Sequence, residues 1–352
     1  MRALLASIGL PEIVAGLMVL SLNAYVLMGG ADFGGGLWDL LASGPRRDEQ
    51  RTLIAESIAP IWEANHVWLI VVVVVLFTGF PVAFGTLGVV LHIPISLMLI
   101  GIVLRGSAFV FRSYGSRDRA HRHTWGLAFA TASSVTPVLL GTIIGAVASG
   151  AVATAARQID AASFTTVFVR PWLAPFPIVV GLFALALFAF LAAVYLTVVS
   201  PDAALREDFR RRALATAVVV FALASAALAL SFSSAPRVAN GVMGASWSLL
   251  LHLCTATSAI VAIAALWTRR YEIARVGAAM QVSFILWGWA FSQYPFIIPE
   301  TLTIRGAGAP TLTLRLLLVG LTVGGMNLIP SLLYLFNTFG QTPARTETPR
   351  SS

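Results

Sequence analysis

Lysine is absent from the chain, cysteine occurs once, and only 11% of the residues are charged. The single thiol, Cys254 in an apolar stretch, excludes an intrachain disulfide, a cluster held by several cysteines and a Cys-ligated zinc site within the chain. It reads as a small core residue. With no lysine, all 23 basic residues are arginine, a matter of genome composition rather than mechanism. A Walker A loop, a dinucleotide fingerprint, an HExxH helix and a nucleophile elbow are also missing, which leaves ordinary soluble enzymology without a foothold. Polar surface is too scarce to coat a soluble globule: 58% of the 352 residues are hydrophobic and the mean hydropathy is +0.87. A membrane is the expected solvent.

What the chain does have is a series of long apolar runs. Bounded by Arg, Pro and Gly clusters, they predict helices near 9–38, 58–81, 82–104, 124–148, 175–199, 213–232, 243–267, 276–298 and 312–338. The expected fold is therefore an all-α integral membrane protein with nine transmembrane helices. The weakest division lies between Trp68 and Leu104, where Gly79, Pro81 and Gly85 suggest a tight turn and the alternative is one overlong broken helix. Residues 1–340 form one polytopic domain in this reading, and 341–352 a disordered cytoplasmic tail. No cleavable leader precedes the first run, so an uncleaved amino terminus is expected, and no internal repeat is evident.

Arginine position sets the expected orientation. One group of connections collects Arg46, Arg47, Arg51, then Arg105, Arg112, Arg117, Arg119, Arg122, then Arg206 and Arg210–Arg212, then Arg269, Arg270, Arg275, and finally Arg345 and Arg350. Those are 17 of the 23; Arg2, Arg157, Arg170, Arg237, Arg305 and Arg315 fall on the other side. The positive-inside rule then places the amino terminus outside and the carboxyl terminus in the cytoplasm. The net charge of +8 is assigned to the membrane, not to nucleic acid. Trp38, Trp62, Trp125 and Trp267 fall near the inner boundary and Trp172 and Trp247 near the outer one, as interfacial belts require.

Ionisable groups inside hydrocarbon are costly and so become functional candidates. The run Gly29–Gly36 (GGADFGGG) carries Asp32 about two turns inside the inner boundary, where small residues allow close helix approach. The bland alternative is a flexible helix end with a solvated Asp. In the run Pro60–Trp68, Glu63 and His66 stand at i, i+3 with Asn65 between them, a carboxyl and imidazole able to exchange protons. The alternative there is an amphipathic helix entry, with Pro60 in its first turn and Glu63 near the positive end. In an antiparallel hairpin, Asp32 and Glu63 share a depth and mark a proton entrance from the cytoplasm. A third region, Trp287–Thr303, including Gln293 and Tyr294, suits either an aromatic platform against a partner or isoprenoid tail, or interfacial anchoring. Among the histidines, His92 is expected mid-helix as a core residue bonded to carbonyls freed by Pro94; His121 and His123 are expected solvated, and His252 lacks a second histidine at haem-ligating spacing. Glu12 is expected to snorkel.

These regions resemble subunit II of cytochrome bd-type ubiquinol oxidases, in the branch with GGADFGGG (Gly29–Gly36) and IAPIWEANHVWL (Ile58–Leu69). Further matches are Leu104–Arg112, Gln293–Thr303 and Pro330–Tyr334, in order along almost the whole chain. The resemblance implies two four-helix bundles plus one extra helix, with a periplasmic amino terminus. It implies a haem-bearing subunit I as partner, holding haems b and d and the quinol site, while this chain ligates no haem or metal and is not active alone. It leaves open a structural quinone and a small accessory subunit beside membrane lipid. By the same match Asp32 and Glu63 are proton-path residues, with His66 and Asn65 beside them and Trp62, Gly29, Gly30, Arg105, Gln293 and Tyr294 in supporting positions. Two departures stand out: Gly29 replaces the first Asp of a DGFD-type segment, and Val110 replaces an acidic residue. A route through either lost carboxylate is not intact here. The competing classes are a secondary transporter, which also uses broken helices and midplane charges, and a purely structural assembly subunit.

Overall fold

The computed structural model describes residues 9–58, 62–114 and 119–339. They form α1 (Leu10–Leu40), α2 (Arg47–Ile58), α3 (Trp62–Gly79), α4 (Pro81–Val90), α5 (His92–Tyr114) and α6 (Arg119–Ala148). Short helices α7 (Ala151–Arg157), α8 (Phe164–Phe168) and α9 (Arg170–Leu173) lead to α10 (Pro175–Val199) and α11 (Ala203–Ser234). Then follow α12 (Pro236–Gly244), α13 (Ser248–Trp267), α14 (Tyr271–Gln293), the strands β1 (Phe296–Ile298) and β2 (Leu302–Thr303), α15 (Ile304–Ala307) and α16 (Thr311–Phe339). Helix is the form expected of a chain crossing hydrocarbon, because each backbone N–H and C=O is satisfied within its own segment.

Eight helices are long and apolar enough to cross a membrane, and a ninth is counted if the bent pair α3–α4 is one span. The bend is 115°. Its cause is local: Pro81 has no N–H to donate and clashes with the preceding turn, so the helix restarts at Pro81 in a new direction. The span expected at 82–104 is thus replaced by a ten-residue α4 and by α5, which starts at His92. This shift moves His92 from the expected helix middle to the first residue of α5, where its Nδ1 lies 2.9 Å from the Val89 carbonyl and the ring is exposed. It also moves Arg105 from a loop to a helix interior. Residues 47–58, expected as a loop, are helical, since their charges favour solvent and Asp48 and Glu49 complement the helix start.

Glycine governs how closely the long helices pack. A Cβ on Gly34 would lie 2.0 Å from the Phe188 carbonyl oxygen, and one on Gly36 would lie 2.3 Å from Ser133. Helix α1 therefore beds directly against α10 and α6, and it also packs on α3. Helix α10 is central and touches α6, α1, α11 and α14; α5 pairs with α6, α13 with α14, and α16 leans on α3 and α1. At the end of the bundle where α1 begins, β1 and β2 pair antiparallel, Ile304 N–H donates to the Pro295 carbonyl at 2.8 Å, and Arg305 is ion-paired to Glu12. Glu12 is thereby tied down rather than snorkelling. Trp38 is packed inside the protein: its indole N–H donates to the Ala189 carbonyl at 2.8 Å and the Arg212 guanidinium lies 5.2 Å from its ring.

Candidate functional site

The glycine-lined contact of α1 with α10 and α6 carries Asp32 into the protein, eight residues before the end of α1, or about 12 Å along its axis. Asp32 is 4% exposed. Its Oδ2 accepts a hydrogen bond from Asn65 Nδ2 of α3 at 2.6 Å, and Asn65 is itself 1% exposed. A bond this short, between a carboxylate and an amide out of water, is stronger than its solvated equivalent. His66, next along α3, meets Tyr25 edge-on and Phe33 at a tilt, both with ring centroids 5.9 Å apart. The pair Asp32–Asn65 and the neighbouring His66 are therefore brought together as the sequence suggested. Residues 59–61 and the side chains of Trp62 and Glu63 lie outside the described residues.

Arg105 closes the cluster from α5. It is 1% exposed, its Nε donates to Ser133 Oγ of α6 at 3.2 Å, and its guanidinium lies 4.7 Å from the Phe33 ring and 5.4 Å from Phe129. It is near enough for its charge and that of Asp32 to act on each other. Arginine suits this position because its planar, weakly hydrated cation stacks on aromatic faces where an ammonium would not. Among the described residues, Asn65 Oδ1 and one Arg105 Nη have no hydrogen-bond partner although both are buried. Gly29 and Gly30, the supporting glycines, lie under the Tyr25 and Phe188 rings respectively.

A second buried carboxylate escaped the sequence reading. Asp39 sits seven residues beyond Asp32 on α1 and is 2% exposed. Arg112 grips both of its oxygens at 2.8 and 3.0 Å, and Arg51 Nε lies 3.2 Å from its backbone carbonyl. The signal was present: two carboxylates at i, i+7 in one apolar run lie two turns apart on the same face. Beside it, Arg46 forks onto Asp208 at 2.9 and 2.6 Å, Gln50 donates to Asp208 at 2.9 Å, and Arg212 donates to Gln50 at 2.7 Å. These contacts lock α2 onto α11. Gln293 and Tyr294 do not join the Asp32 cluster, since they end α14 on the opposite side; Gln293 is buried and Tyr294 exposed. Val110 is exposed.

The histidines offer little to a haem. His92 and His252 each spend one ring nitrogen on a nearby carbonyl, that of Val89 or Val242. Among the described residues no three His, Cys, Asp or Glu side chains converge as a metal site would require.

The family model for cytochrome bd terminal oxidase subunit II matches residues 10–339. Over 105 residues the chain is 30% identical to the cytochrome bd-I ubiquinol oxidase subunit 2 of Escherichia coli (strain K12), a match covering 30% of this chain and 27% of that one. Over 88 residues it is 35% identical to the cytochrome bd ubiquinol oxidase subunit 2 of Bacillus subtilis (strain 168), covering 25% of each. The matched stretches therefore span only about a quarter of either curated relative. The fold is similar to a chain of the bd oxidase from Geobacillus thermodenitrificans, with a TM-score of 0.72 and 21% identity over 94% of this chain and 98% of that one.

Proposed function

Because the chain belongs to the cytochrome bd terminal oxidase subunit II family, we propose that it works beside a haem-bearing subunit I in a quinol:oxygen oxidoreductase and carries cytoplasmic protons toward that partner through Asp32. It is a multi-pass protein of the bacterial inner membrane. In this reading quinol supplies the electrons, the partner holds haems b and d, and this chain contributes no axial ligand. Its amino terminus faces the periplasm. Two four-helix bundles, α1, α3, α5, α6 and α10, α11, α13, α14, join through α10, with α16 as the extra helix; the packing of α1 on α3 and α6, of α5 on α6, of α10 on α11 and of α13 on α14 supports that grouping.

The observation that carries the reading is the Asp32–Asn65 hydrogen bond inside a buried cluster that also holds His66 and Arg105. A proton carrier must be shielded from bulk water and still touch the next group, and Asp32 meets both conditions. Glu63, about one turn before His66 on α3, is the proposed entry group. Asn65 Oδ1 and the unbonded Arg105 N–H are where water would join the chain of donors and acceptors. Asp39 is assigned a different task. Both its oxygens are held by Arg112, so it anchors α1 to α5. The lost acidic positions Gly29 and Val110 leave Asp32 as the buried carboxylate free of a bidentate clamp in this part of α1.

The test is oxygen consumption by the purified complex carrying Asp32→Asn or Glu63→Gln. A loss of proton relay predicts normal assembly and haem content with turnover reduced by about a hundred-fold or more, the usual range for removing a proton-transfer group. Full turnover in both variants would show that the relay is wrong.

A further inference from the structure

We propose that the cytoplasmic corner between α13 and α14 is a binding site for one anionic phospholipid, whose phosphate rests on Arg269 and Arg270 and whose acyl chain lies in the groove between the two helices. The groove has a volume of 440 Å³ and is lined by Thr257, Ser258 and Val261 of α13 and, on α14, by Ile273, Val276, Gly277 and Met280 together with Glu272, whose carboxylate is paired with Arg275. It opens to the side, where a membrane protein meets lipid. Along α14 the groove runs from Glu272 to Met280, about 12 Å, and so begins two residues after Arg270. Its depth comes from Gly277, whose Cβ would lie 2.9 Å from the Ala262 backbone nitrogen, so the helices touch there and flare beside it.

The turn that joins α13 to α14, next to the Glu272 end of the groove, carries Arg269 and Arg270, and one of them is kept there at a cost. Arg270 N–H bonds the Ala265 carbonyl at 2.8 Å and Arg269 N–H bonds the Leu266 carbonyl at 3.3 Å, the pattern of a Schellman turn ending α13. The residue at its left-handed position is usually glycine, but here it is Arg269, with φ of +57°. Both arginines are exposed. Elsewhere on the inner face the arginines are largely spent: Arg46 on Asp208, Arg112 on Asp39, Arg212 on Gln50. At this corner Glu207 alone faces Arg210, Arg211 and Arg269, the last at a loose 3.7 Å, while Glu272 pairs with Arg275 at 2.7 Å. Five arginines against two carboxylates leave a positive corner, and Arg270 has no ion-pair partner among the described residues. An anion at headgroup depth with an apolar tail matches both parts of the site.

Native mass spectrometry of the detergent-purified, delipidated complex, titrated with phosphatidylglycerol and separately with phosphatidylcholine, tests this. The site predicts one tightly retained phosphatidylglycerol that phosphatidylcholine does not replace, weakened roughly five-fold for each arginine removed in Arg269→Gly and Arg270→Gln. Arg269→Gly relaxes the left-handed turn and so preserves the fold. Val276→Phe, which fills the groove and leaves every charge, should weaken retention as well. Equal retention of the two lipids by the wild type, unchanged retention in the arginine variants, or full displacement by inorganic phosphate with Val276→Phe neutral would each overturn the proposal.

Discussion

Asp32 and Asp39 sit on one face of α1 and are both buried, yet their partners give them opposite tasks. Asp32 has an amide for a hydrogen-bond partner, whereas Asp39 is forked by Arg112 and flanked by Arg51. Asp39→Asn leaves those two partly buried guanidinium groups without their countercharge and should destabilise the protein by on the order of 2 kcal/mol, less than a fully buried pair because both arginines retain some exposure. A thermal-shift measurement on the assembled complex should show a clearly lowered midpoint for Asp39→Asn. Asp32→Asn keeps the shape of the acid but removes a negative charge that acts on buried Arg105, so it should lower the midpoint as well and is set apart from Asp39→Asn by its loss of turnover. The motif around Asp32 was legible because it is local in sequence. For Asp39 the spacing from Asp32 was legible but the clamp was not, since Arg112 is 73 residues away and no spacing rule connects them. Arg105 was placed in a connection by its charge and in a supporting position by the resemblance; its burial shows only in its stacking on Phe33 and Phe129.

At the scale of elements, the helix contacts rest on particular missing side chains. Gly34→Ala would push a methyl group into the Phe188 backbone, and backbone cannot rotate away as a side chain can, so α1 and α10 must separate. The expected cost is about 1–3 kcal/mol, or failure to assemble. Gly85→Ala, in the bent helix α4 where a Cβ meets nothing within 4 Å, should be tolerated and slightly stabilising. Folded yield after membrane solubilisation, read by size-exclusion chromatography, separates the two. Most long helices were legible because hydropathy reports directly on burial in lipid: the run expected at 175–199 coincides with α10. Helix α2 was invisible to the same criterion, being polar and short, with its place fixed by Arg46, Gln50 and Asp208. The turn at Gly79–Pro81 was anticipated, but not that the chain would run obliquely for ten residues before α5 begins. Hydropathy measures how apolar a segment is, not the direction in which it points.

For the whole molecule, the surface is consistent only with an apolar surrounding. Leu316, Val319 and Met326 of α16, Leu249 and Ile260 of α13 and Phe221 of α11 are all well exposed, a pattern that water would penalise and that lipid or a second membrane subunit accommodates. Membership of the family and the buried Asp32 cluster together define the central claim, that this chain serves a haem-bearing partner rather than acting alone. The most direct measurement is a reduced-minus-oxidised visible spectrum of the protein purified gently from its native membrane, taken with the identity of the polypeptides that copurify. The account predicts haem b and haem d bands arriving with a second large membrane subunit, and their loss when that subunit is stripped away. A stable, haem-free protein with no such partner would contradict it.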